Sequence, residues 1–254
     1  MIERLGALEQ KRMRRAGAVA AEILGEVGNA VRPGQTTADL NAVAIEAIRR
    51  RGVRSSQFGY HGFSGHICTS LNDVVCHGVP SDRDVLEIGD IVAVDVTVEV
   101  DGFHGDTCRT FAVSGVDARL SPRVDRLMTA VDEALAAAIN VVRDGARIGD
   151  IGAAIVRVAK RHQLSVVREY CGHGIGREMH MEPQIPHVGL ANRGPRLRSG
   201  MAFTIEPMLN LGTHECRIED DGWTVRTADG EWSAQGEHTV LVHDDYCEIL
   251  TPHP

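Results

Sequence analysis

The feature of this sequence that most limits its fold is an internal repeat. The segment Val31-Arg32-x-Gly34 recurs as Val142-Arg143-x-Gly145, which sets a constant offset of 111 residues. Four further pairs keep that offset: Asp39 with Asp150, Ala42 with Ala153, Gly89 with Gly200, and Asp95 with Glu206. Chance can supply a few such matches, but the repeat favours a chain built from two equivalent halves.

The order of the predicted elements also recurs, with two helices before a strand-rich stretch in each half. Apolar residues at helical spacing within 19–27 and 40–48 predict two helices in the stretch up to about residue 51, and the same spacing predicts two more over 124–142 and 148–159. Thr36 and Asp39 have the spacing of a capping box. We therefore expect an α+β fold that forms a single domain over 1–254. Its pseudo-twofold halves, about 1–115 and 116–254, each pack helices on an antiparallel sheet.

Acidic residues lie inside the predicted strands. Asp95 interrupts the β-branched run 91–100, so its carboxylate is expected to be buried, which costs several kcal/mol unless something compensates the charge. The predicted turn 101–105 leads to a second strand that begins at Asp106, and such a hairpin brings the two carboxylates together. A divalent cation between them would remove their repulsion.

The second half repeats this arrangement. Glu206 lies in an apolar strand pattern, and Glu237 precedes the β-branched run 238–242. A single buried acid is more simply explained as an ion-paired structural residue, but four of them tied to a repeat favour a metal cluster. His173, between glycines that permit close backbone approach, supplies an imidazole.

These residues form an oxygen-rich ligand set, consisting of Asp95, Asp106, His173, Glu206 and Glu237. Such a set suits Mn, Fe or Co in five- or six-coordinate geometry better than a closed tetrahedral zinc site, and its carboxylates are enough for two ions. His77, taken alone, is equally consistent with a structural role and with a role in a site.

Composition restricts the remaining possibilities. The hydrophobic share is 43%, and neither a membrane-spanning run nor a signal peptide is recognisable, so we expect a cytoplasmic protein. The net charge of -8 argues against a nucleic-acid partner. The basic cluster Lys11, Arg12, Arg14 and Arg15 is best explained as a solvated helix face, with transient ribosome contact as the alternative. Six cysteines without a CxxC pair predict reduced thiols.

Five segments have residues and spacing specific to one enzyme family. They are Cys68-x-Ser70-x-Asn72-x-x-x-Cys76-His77-Gly78, Asp95-Val96 with Gly102-x-x-Gly105-Asp106, Gly172-His173-Gly174-Ile175-Gly176, Phe203-Thr204-Ile205-Glu206-Pro207, and Ser233-Ala234-Gln235-x-Glu237-His238-Thr239. In these segments the chain resembles the type I methionine aminopeptidases. The resemblance covers nearly the whole chain, and the interval of 31 residues between Glu206 and Glu237 is too short for the insertion of type II enzymes.

The resemblance implies the pita-bread fold and two divalent cations, with Co, Mn, Fe or Zn as candidates. Asp106 and Glu237 would bridge the ions, Asp95 would bind one of them, and His173 with Glu206 would complete the other. The implied reaction removes the initiator methionine from nascent chains with a small, uncharged second residue, as a metal-bridging water attacks the first peptide carbonyl.

The resemblance also implies catalytic and substrate-binding roles for two histidines. Glu206 would act as general base, His180 would contact the scissile peptide, and His77 would assist at the scissile nitrogen. The implied methionine pocket contains Tyr60, Phe63, Cys68 and Trp223, although Trp223 is also consistent with ordinary packing. The chain departs from the family at Phe63, where tyrosine is common, and at Met179, where an aromatic residue is common.

Two rival functions remain open from the sequence. A prolidase or Xaa-Pro aminopeptidase would share the five ligands but usually carries a large amino-terminal domain, and a pita-bread binding protein would have lost ligands that this chain keeps. The family suggests a monomer whose partners are nascent polypeptide N-termini, with no membrane partner.

Overall fold

A computed structural model of the chain describes residues 2–115 and 120–253. Its α-helices are α1 (Ala7–Gly28), α2 (Thr37–Arg51), α3 (Pro122–Ile139) and α4 (Ile148–Arg161), with a short 3-10 helix at Tyr60–Gly62. Its strands are β1 (Arg54–Ser55), β2 (Cys68–Leu71), β3 (Val74–Cys76), β4 (Ile91–Val100), β5 (Phe103–Ala112), β6 (Ser165–Val166), β7 (Cys171–Gly174), β8 (Met181–Pro186), β9 (Ala202–Ile205), β10 (Met208–Asn210), β11 (Cys216–Ile218), β12 (Val225–Thr227), β13 (Ser233–Val242) and β14 (Cys247–Ile249).

The α2 helix begins at the capping box that the sequence predicts. Thr36 Oγ1 accepts a hydrogen bond from the Asp39 backbone N–H at 3.1 Å, and Asp39 Oδ2 accepts one from the Thr36 N–H at 2.8 Å. At the start of α4, Asp150 Oδ2 accepts from the Arg147 N–H at 2.8 Å. These three hydrogen bonds satisfy backbone donors that the starts of the helices leave unpaired.

The repeat also appears in the backbone around these helix starts. Gly34 N–H donates to the Leu86 carbonyl at 2.9 Å, and Gly145 N–H donates to the Leu197 carbonyl at 3.0 Å, both at the offset of 111. The two glycines have φ of +85° and +83°, a conformation that favours glycine. The predicted boundary between the halves, at residues 115 and 116, borders segment 116–119, which lies outside the described residues.

Two of the predicted boundaries move. The α3 helix spans Pro122–Ile139 rather than 124–142, because the chain turns at its C-cap, Asn140, and Val142 reaches the core from the following turn. The turn predicted over 101–105 is tighter, since Phe103 already pairs with Val100 across the β4–β5 hairpin.

An antiparallel sheet contains strands from both halves of the sequence. Among the described residues, eleven strands belong to it, and its main path runs β1-β4-β5-β13-β9-β7-β8. The pairs β4–β5, β5–β13 and β13–β9 are all antiparallel, so β13 of the second half lies directly beside β5 of the first. A smaller sheet has the order β11-β12-β3.

Each half has its own apolar core between helices and sheet. Helices α1 and α2 bury their apolar faces with β4, while α3 and α4 bury theirs with β9 and β13. The α1 helix lies very close to β5, since a Cβ atom at Gly105 would lie 2.4 Å from the carbonyl carbon of Ala16. None of the described helices combines the length and apolarity that a membrane span requires.

Candidate metal centre

The register of the central strands places acidic residues side by side. Asp95 on β4 pairs with Cys108 on β5, and Cys108 pairs with Glu237 on β13. Directly paired residues share a face of the sheet, so the two carboxylates flank the Cys108 thiol in one row. Asp106 lies two residues before Cys108 and therefore points to the same face.

The second half contributes the other predicted ligands. His173 lies on β7, and Glu206 directly follows β9. His173 Nε2 is 3.6 Å from Glu206 Oε1 and 3.7 Å from Asp106 Oδ2. Ligand atoms of Asp106, His173 and Glu237 all lie within 4.8 Å of one another. Donor atoms from both halves thus converge on one small volume, although Glu237 lies within β13 rather than before it as predicted.

The orientation of His173 leaves its Nε2 free to bind an ion. The Nδ1 atom lies 3.1 Å from the Gly174 carbonyl oxygen, which can only accept a hydrogen bond, so Nδ1 carries the proton. The Nε2 lone pair then faces Asp106 and Glu206. Their oxygens are too far from Nε2 for hydrogen bonds, and a neutral imidazole forms no ion pair with them.

Three polar side chains hold the carboxylates in place. Thr97 Oγ1 donates to Asp106 Oδ1 at 2.6 Å, and Gln57 Nε2 donates to Asp95 Oδ1 at 2.9 Å. Thr204 Oγ1 donates to Glu206 Oε1 at 2.8 Å and accepts the His173 backbone N–H at 3.0 Å. None of these three residues is predicted as a site residue from the sequence.

Burial makes this cluster costly to charge without a cation. It raises the pKa of Asp106 to about 7, and burial together with repulsion from neighbouring carboxylates raises the pKa of Asp95, Glu206 and Glu237 well above the ordinary range. Burial lowers the pKa of His173 to about 3. Over residues 2–115 and 120–253, no lysine or arginine nitrogen lies within 4.0 Å of these four carboxylates. The hard oxygen donors, the open Nε2 and the uncompensated charge fit a divalent metal.

The cluster lies on the wall of a cavity of about 750 Å³. Every residue that the sequence predicts for the site borders this cavity: Tyr60, Phe63, Cys68, His77, Asp95, Asp106, His173, His180, Glu206, Trp223 and Glu237. Gln57, Thr97, Tyr170, Glu178, Met179 and Met208 also border it. One opening therefore connects the acidic cluster with an apolar wall and with two histidines.

The two histidines lie beside the cluster. His180 Nδ1 is 2.8 Å from the Tyr60 hydroxyl, and its ring lies 4.3 Å from that of His173. His77 has φ of +56°, in the left-handed region that is uncommon for residues with a side chain. Burial lowers the pKa of His77 to about 4 and also lowers that of His180, so both rings are neutral near pH 7.

The apolar wall is formed by the predicted pocket residues and three methionines, Met179, Met181 and Met208. Phe63 is buried and its ring meets that of Trp223 edge-on at 5.1 Å, so Trp223 is both packed and part of the cavity surface. The His77 ring lies 5.4 Å from that of Tyr170 in a similar arrangement. Met179 is buried on the same wall. Such a surface can bind a flexible apolar side chain next to the metal-binding groups.

Comparison with known proteins identifies the class. The family described as Metallopeptidase family M24 matches residues 11–244, and the chain belongs to that family. Within it the chain is 49% identical over 247 residues to methionine aminopeptidase A of Synechocystis sp., covering 97% of this chain and 96% of that relative. The resemblance to methionine aminopeptidases found in the sequence is thereby confirmed.

Solved structures confirm the predicted α+β pita-bread fold. The methionine aminopeptidase from Rickettsia prowazekii matches with a TM-score of 0.96 and 43% identity, over 99% of this chain and 100% of that one. The prolidase from Pyrococcus furiosus matches with a TM-score of 0.77 at 19% identity, over 98% of this chain and 65% of that one. That second likeness shows a common fold alone.

Proposed function

We propose that this protein removes the amino-terminal methionine from nascent polypeptides when the second residue is small and uncharged. The observation that carries the proposal is the convergence of Asp106, His173, Glu206 and Glu237 at a cavity whose other wall is apolar. Relatives named methionine aminopeptidase that match along almost the whole chain support it.

We propose a site for two divalent cations, with Co, Mn, Fe or Zn as candidates. Asp106 and Glu237 would bind both ions, Asp95 would bind one, and His173 with Glu206 would complete the other. The spacing of the donor atoms and the absence of a compensating lysine or arginine among the described residues support this set. When bound, such ions lower the pKa of water and polarise a carbonyl group.

The protein's own groups then position the substrate and move protons. Glu206, held by the Thr204 hydroxyl, acts as general base for the attacking water. Neutral His180 donates a hydrogen bond from Nε2 to the scissile peptide, while its Nδ1 accepts a hydrogen bond from the Tyr60 hydroxyl, which fixes the ring. His77 assists at the scissile nitrogen, and its strained backbone supports such a role.

The apolar wall selects the methionine side chain. Phe63, Cys68 and Trp223, with Tyr60 at one edge, offer a surface suited to an unbranched thioether. The free α-amine of the substrate would bind a cation held by these carboxylates, whereas an internal peptide bond has no such group. We therefore propose exopeptidase specificity, which separates this function from a metal-free binding protein.

The organisation of the protein in the cell follows from the same proposal. We propose that residues 1–254 form one catalytic domain that acts as a monomer in the cytoplasm on chains leaving the ribosome. Ribosome contact through the basic cluster of α1 has limited support, because Arg14 binds Glu248 and Arg15 binds Asp101.

The test compares peptides that differ only in their first or second residue. Metal-loaded protein should release methionine from Met-Gly and Met-Ala peptides and leave Met-Leu peptides intact, as measured by chromatography of the products. Equal cleavage of Leu-Gly peptides would exclude methionine specificity.

The variant Asp106→Asn should lose bound metal and activity together, and full metal content in that variant would exclude the ligand assignment. For His180→Ala we expect retained metal and a kcat at least about 100-fold lower.

A further inference from the structure

The segment that follows β14 lies against the strands that carry the candidate metal ligands. We call this segment the strap, residues 250–253. β13 pairs with β5 before Thr239 and with β14 after it. The strap hydrogen-bonds to Thr239 itself, since the Leu250 N–H donates to its carbonyl at 2.9 Å and Thr251 Oγ1 accepts its N–H at 3.1 Å. The strap is therefore bound to β13 two residues beyond Glu237.

A chain of two hydrogen bonds connects the strap to the backbone of Glu237. Thr107 Oγ1 donates to the Glu237 carbonyl at 2.9 Å, and His253 Nε2 lies 2.9 Å from the same hydroxyl oxygen. A hydroxyl group has one hydrogen, and Thr107 uses it for Glu237. His253 therefore donates from Nε2 to Thr107. Hydrogen bonds arranged in such a chain polarise and strengthen one another.

A threonine of β13 holds the backbone of Asp106 in a similar way. Thr239 Oγ1 accepts the Asp106 N–H at 3.1 Å and donates to the Asp106 carbonyl at 2.7 Å. Thr107 and Thr239 thus tie together the backbones of the two residues that we propose to bind both ions. The strap contacts both threonines, so it is connected to both candidate ligands.

His253 lies on the face of the sheet away from the metal centre. Thr107 pairs directly with His238, and these two residues alternate along their strands with Asp106 and Glu237, which face the metal centre. The His253 ring lies 4.2 Å from that of His238, and both rings border a separate cavity of about 270 Å³. Within the described residues, neither histidine borders the cavity of the metal centre. His253 can therefore act on the site only through the strands.

We propose that His253 is a positioning residue for the metal centre. By donating to Thr107, it commits the Thr107 hydroxyl hydrogen to the Glu237 carbonyl and fixes the strand from which the Glu237 carboxylate projects. The inference rests on the proposed function, in which Glu237 binds both cations. Movement of a shared carboxylate changes the coordination of two ions at once, so a restraint on its strand contributes to metal affinity.

Two substitutions of His253 test the proposal. His253→Phe keeps a ring against His238 and removes the donor. We expect it to weaken Mn²⁺ binding about 3- to 10-fold, less than the roughly 10- to 100-fold cost of losing a direct partner of a ligand. His253→Gln keeps a donor and should restore the affinity. Titration of chelator-treated protein against a chelating dye measures both variants.

A double-mutant cycle tests the route through Thr107. Thr107→Val removes the hydroxyl group that connects His253 with Glu237, so His253→Phe should cause little further loss of Mn²⁺ affinity in that variant. An equal loss with and without the Thr107 hydroxyl would overturn the proposal. At saturating Mn²⁺, KM for a Met-Gly peptide should be unchanged in His253→Phe, because the histidine borders a different cavity.

His162, the C-cap residue of α4, supplies the matched control. It is half-buried, and its Nε2 lies 2.7 Å from Glu133 Oε2, so His162→Phe removes a comparable contact at a site without candidate ligands. We expect unchanged Mn²⁺ affinity in this variant.

Two further outcomes would overturn the proposal. They are Mn²⁺ affinity in His253→Phe equal to that of the unchanged protein, and a loss in His253→Gln as large as that in His253→Phe. Release of methionine by the unchanged protein is measured separately. Its absence would count against the proposed peptidase function and would leave the comparison of Mn²⁺ affinities as it stands.

Discussion

Thr204 connects two of the candidate metal ligands through one hydroxyl group. It accepts the His173 backbone N–H and donates to Glu206 Oε1, so it fixes both the strand position of the histidine and the direction of the carboxylate. We expect Thr204→Val to weaken metal binding about 10- to 100-fold, because ligands without their supporting hydrogen bonds reorient. Titration against a chelating dye measures the change.

Thr110 provides the matched control for this substitution. Its buried hydroxyl likewise accepts one backbone N–H and donates to one carbonyl, both of Gln235, but it touches none of the candidate ligands. Thr110→Val should lower the free energy of unfolding and leave metal affinity unchanged. Thr204→Ser keeps the hydroxyl group and should therefore keep the metal affinity that Thr204→Val loses. Equal metal affinity in Thr204→Val and the unchanged protein would show that the hydroxyl plays no positioning role.

The ligands and their supporting residues differ in how far the sequence could predict them. Asp95 and Glu206 stand out because a charged residue inside an apolar strand pattern is rare. Gln57 does not, since it lies in a loop 38 residues before its partner Asp95. Thr97 is an ordinary strand residue until the β4–β5 register places it opposite Asp106. Hydrogen bonds of this kind depend on three-dimensional register, which residue patterns do not specify.

His187 is a buried histidine outside the metal site. Its side chain is 1% exposed, and neither ring nitrogen has a hydrogen-bond partner among the described residues. Burial lowers its pKa to about 3, whereas an unfolded chain has a histidine pKa of about 6.5. Below pH 6.5 the unfolded state therefore binds a proton that the folded state does not, and stability falls as the pH decreases.

We expect this histidine to contribute about 2 kcal/mol to the difference in unfolding free energy between pH 7 and pH 5. His187→Leu fills the same space with an apolar side chain and removes the titrating group. Denaturant unfolding of metal-free protein at the two pH values should show a difference about 2 kcal/mol smaller in the variant. An unchanged difference would mean that other groups cause the acid sensitivity.

At the scale of elements, the contact between α1 and β5 depends on a glycine. A Cβ atom at Gly105 would lie 2.4 Å from the backbone of Ala16, which cannot move without displacing the helix. We expect Gly105→Ala to lower the free energy of unfolding by about 1–3 kcal/mol, the usual cost of overpacking. Thermal or denaturant unfolding measures it.

Gly6, at the N-cap of α1, offers the control. A Cβ atom there would meet only the flexible Glu9 carboxylate at 3.6 Å, so Gly6→Ala should cost only about 0.5 kcal/mol, from the lower preference for alanine at an N-cap. If the two alanine variants were equally stable, the close approach of helix and strand would not limit the packing.

Element types were more predictable than element ends. The capping box at Thr36 fixed the start of α2, because a side chain and a backbone donor interact locally there. The end of α3 was not predictable in the same way, since the apolar pattern continues to Val142 although the helix stops at Ile139. Val142 is buried from a turn, and burial alone does not distinguish a turn from a helix.

At the scale of the whole molecule, the candidate metal ligands come from both halves of the sequence. Asp95 and Asp106 come from the hairpin of the first half, and His173, Glu206 and Glu237 come from the second. The repeat made this junction predictable in outline, because equivalent carboxylates in pseudo-twofold halves must meet near the axis that relates them. The repeat could not predict that β5 and β13 pair directly, because residues that lie opposite each other in these strands, such as Cys108 and Glu237, are not separated by 111 positions.

A site shared between halves makes bound metal a determinant of global stability. Ions that bind only the folded state stabilise it by about 2.7 kcal/mol at a free concentration of 100 times Kd, which for a chain of this size raises Tm by about 5–10 °C. We expect this shift when Mn²⁺ or Co²⁺ is added to chelator-treated protein and followed by calorimetry. Asp106→Asn should abolish most of it. An equal shift in that variant would mean that the stabilising ions bind elsewhere, and the carboxylates between the halves would then need another explanation.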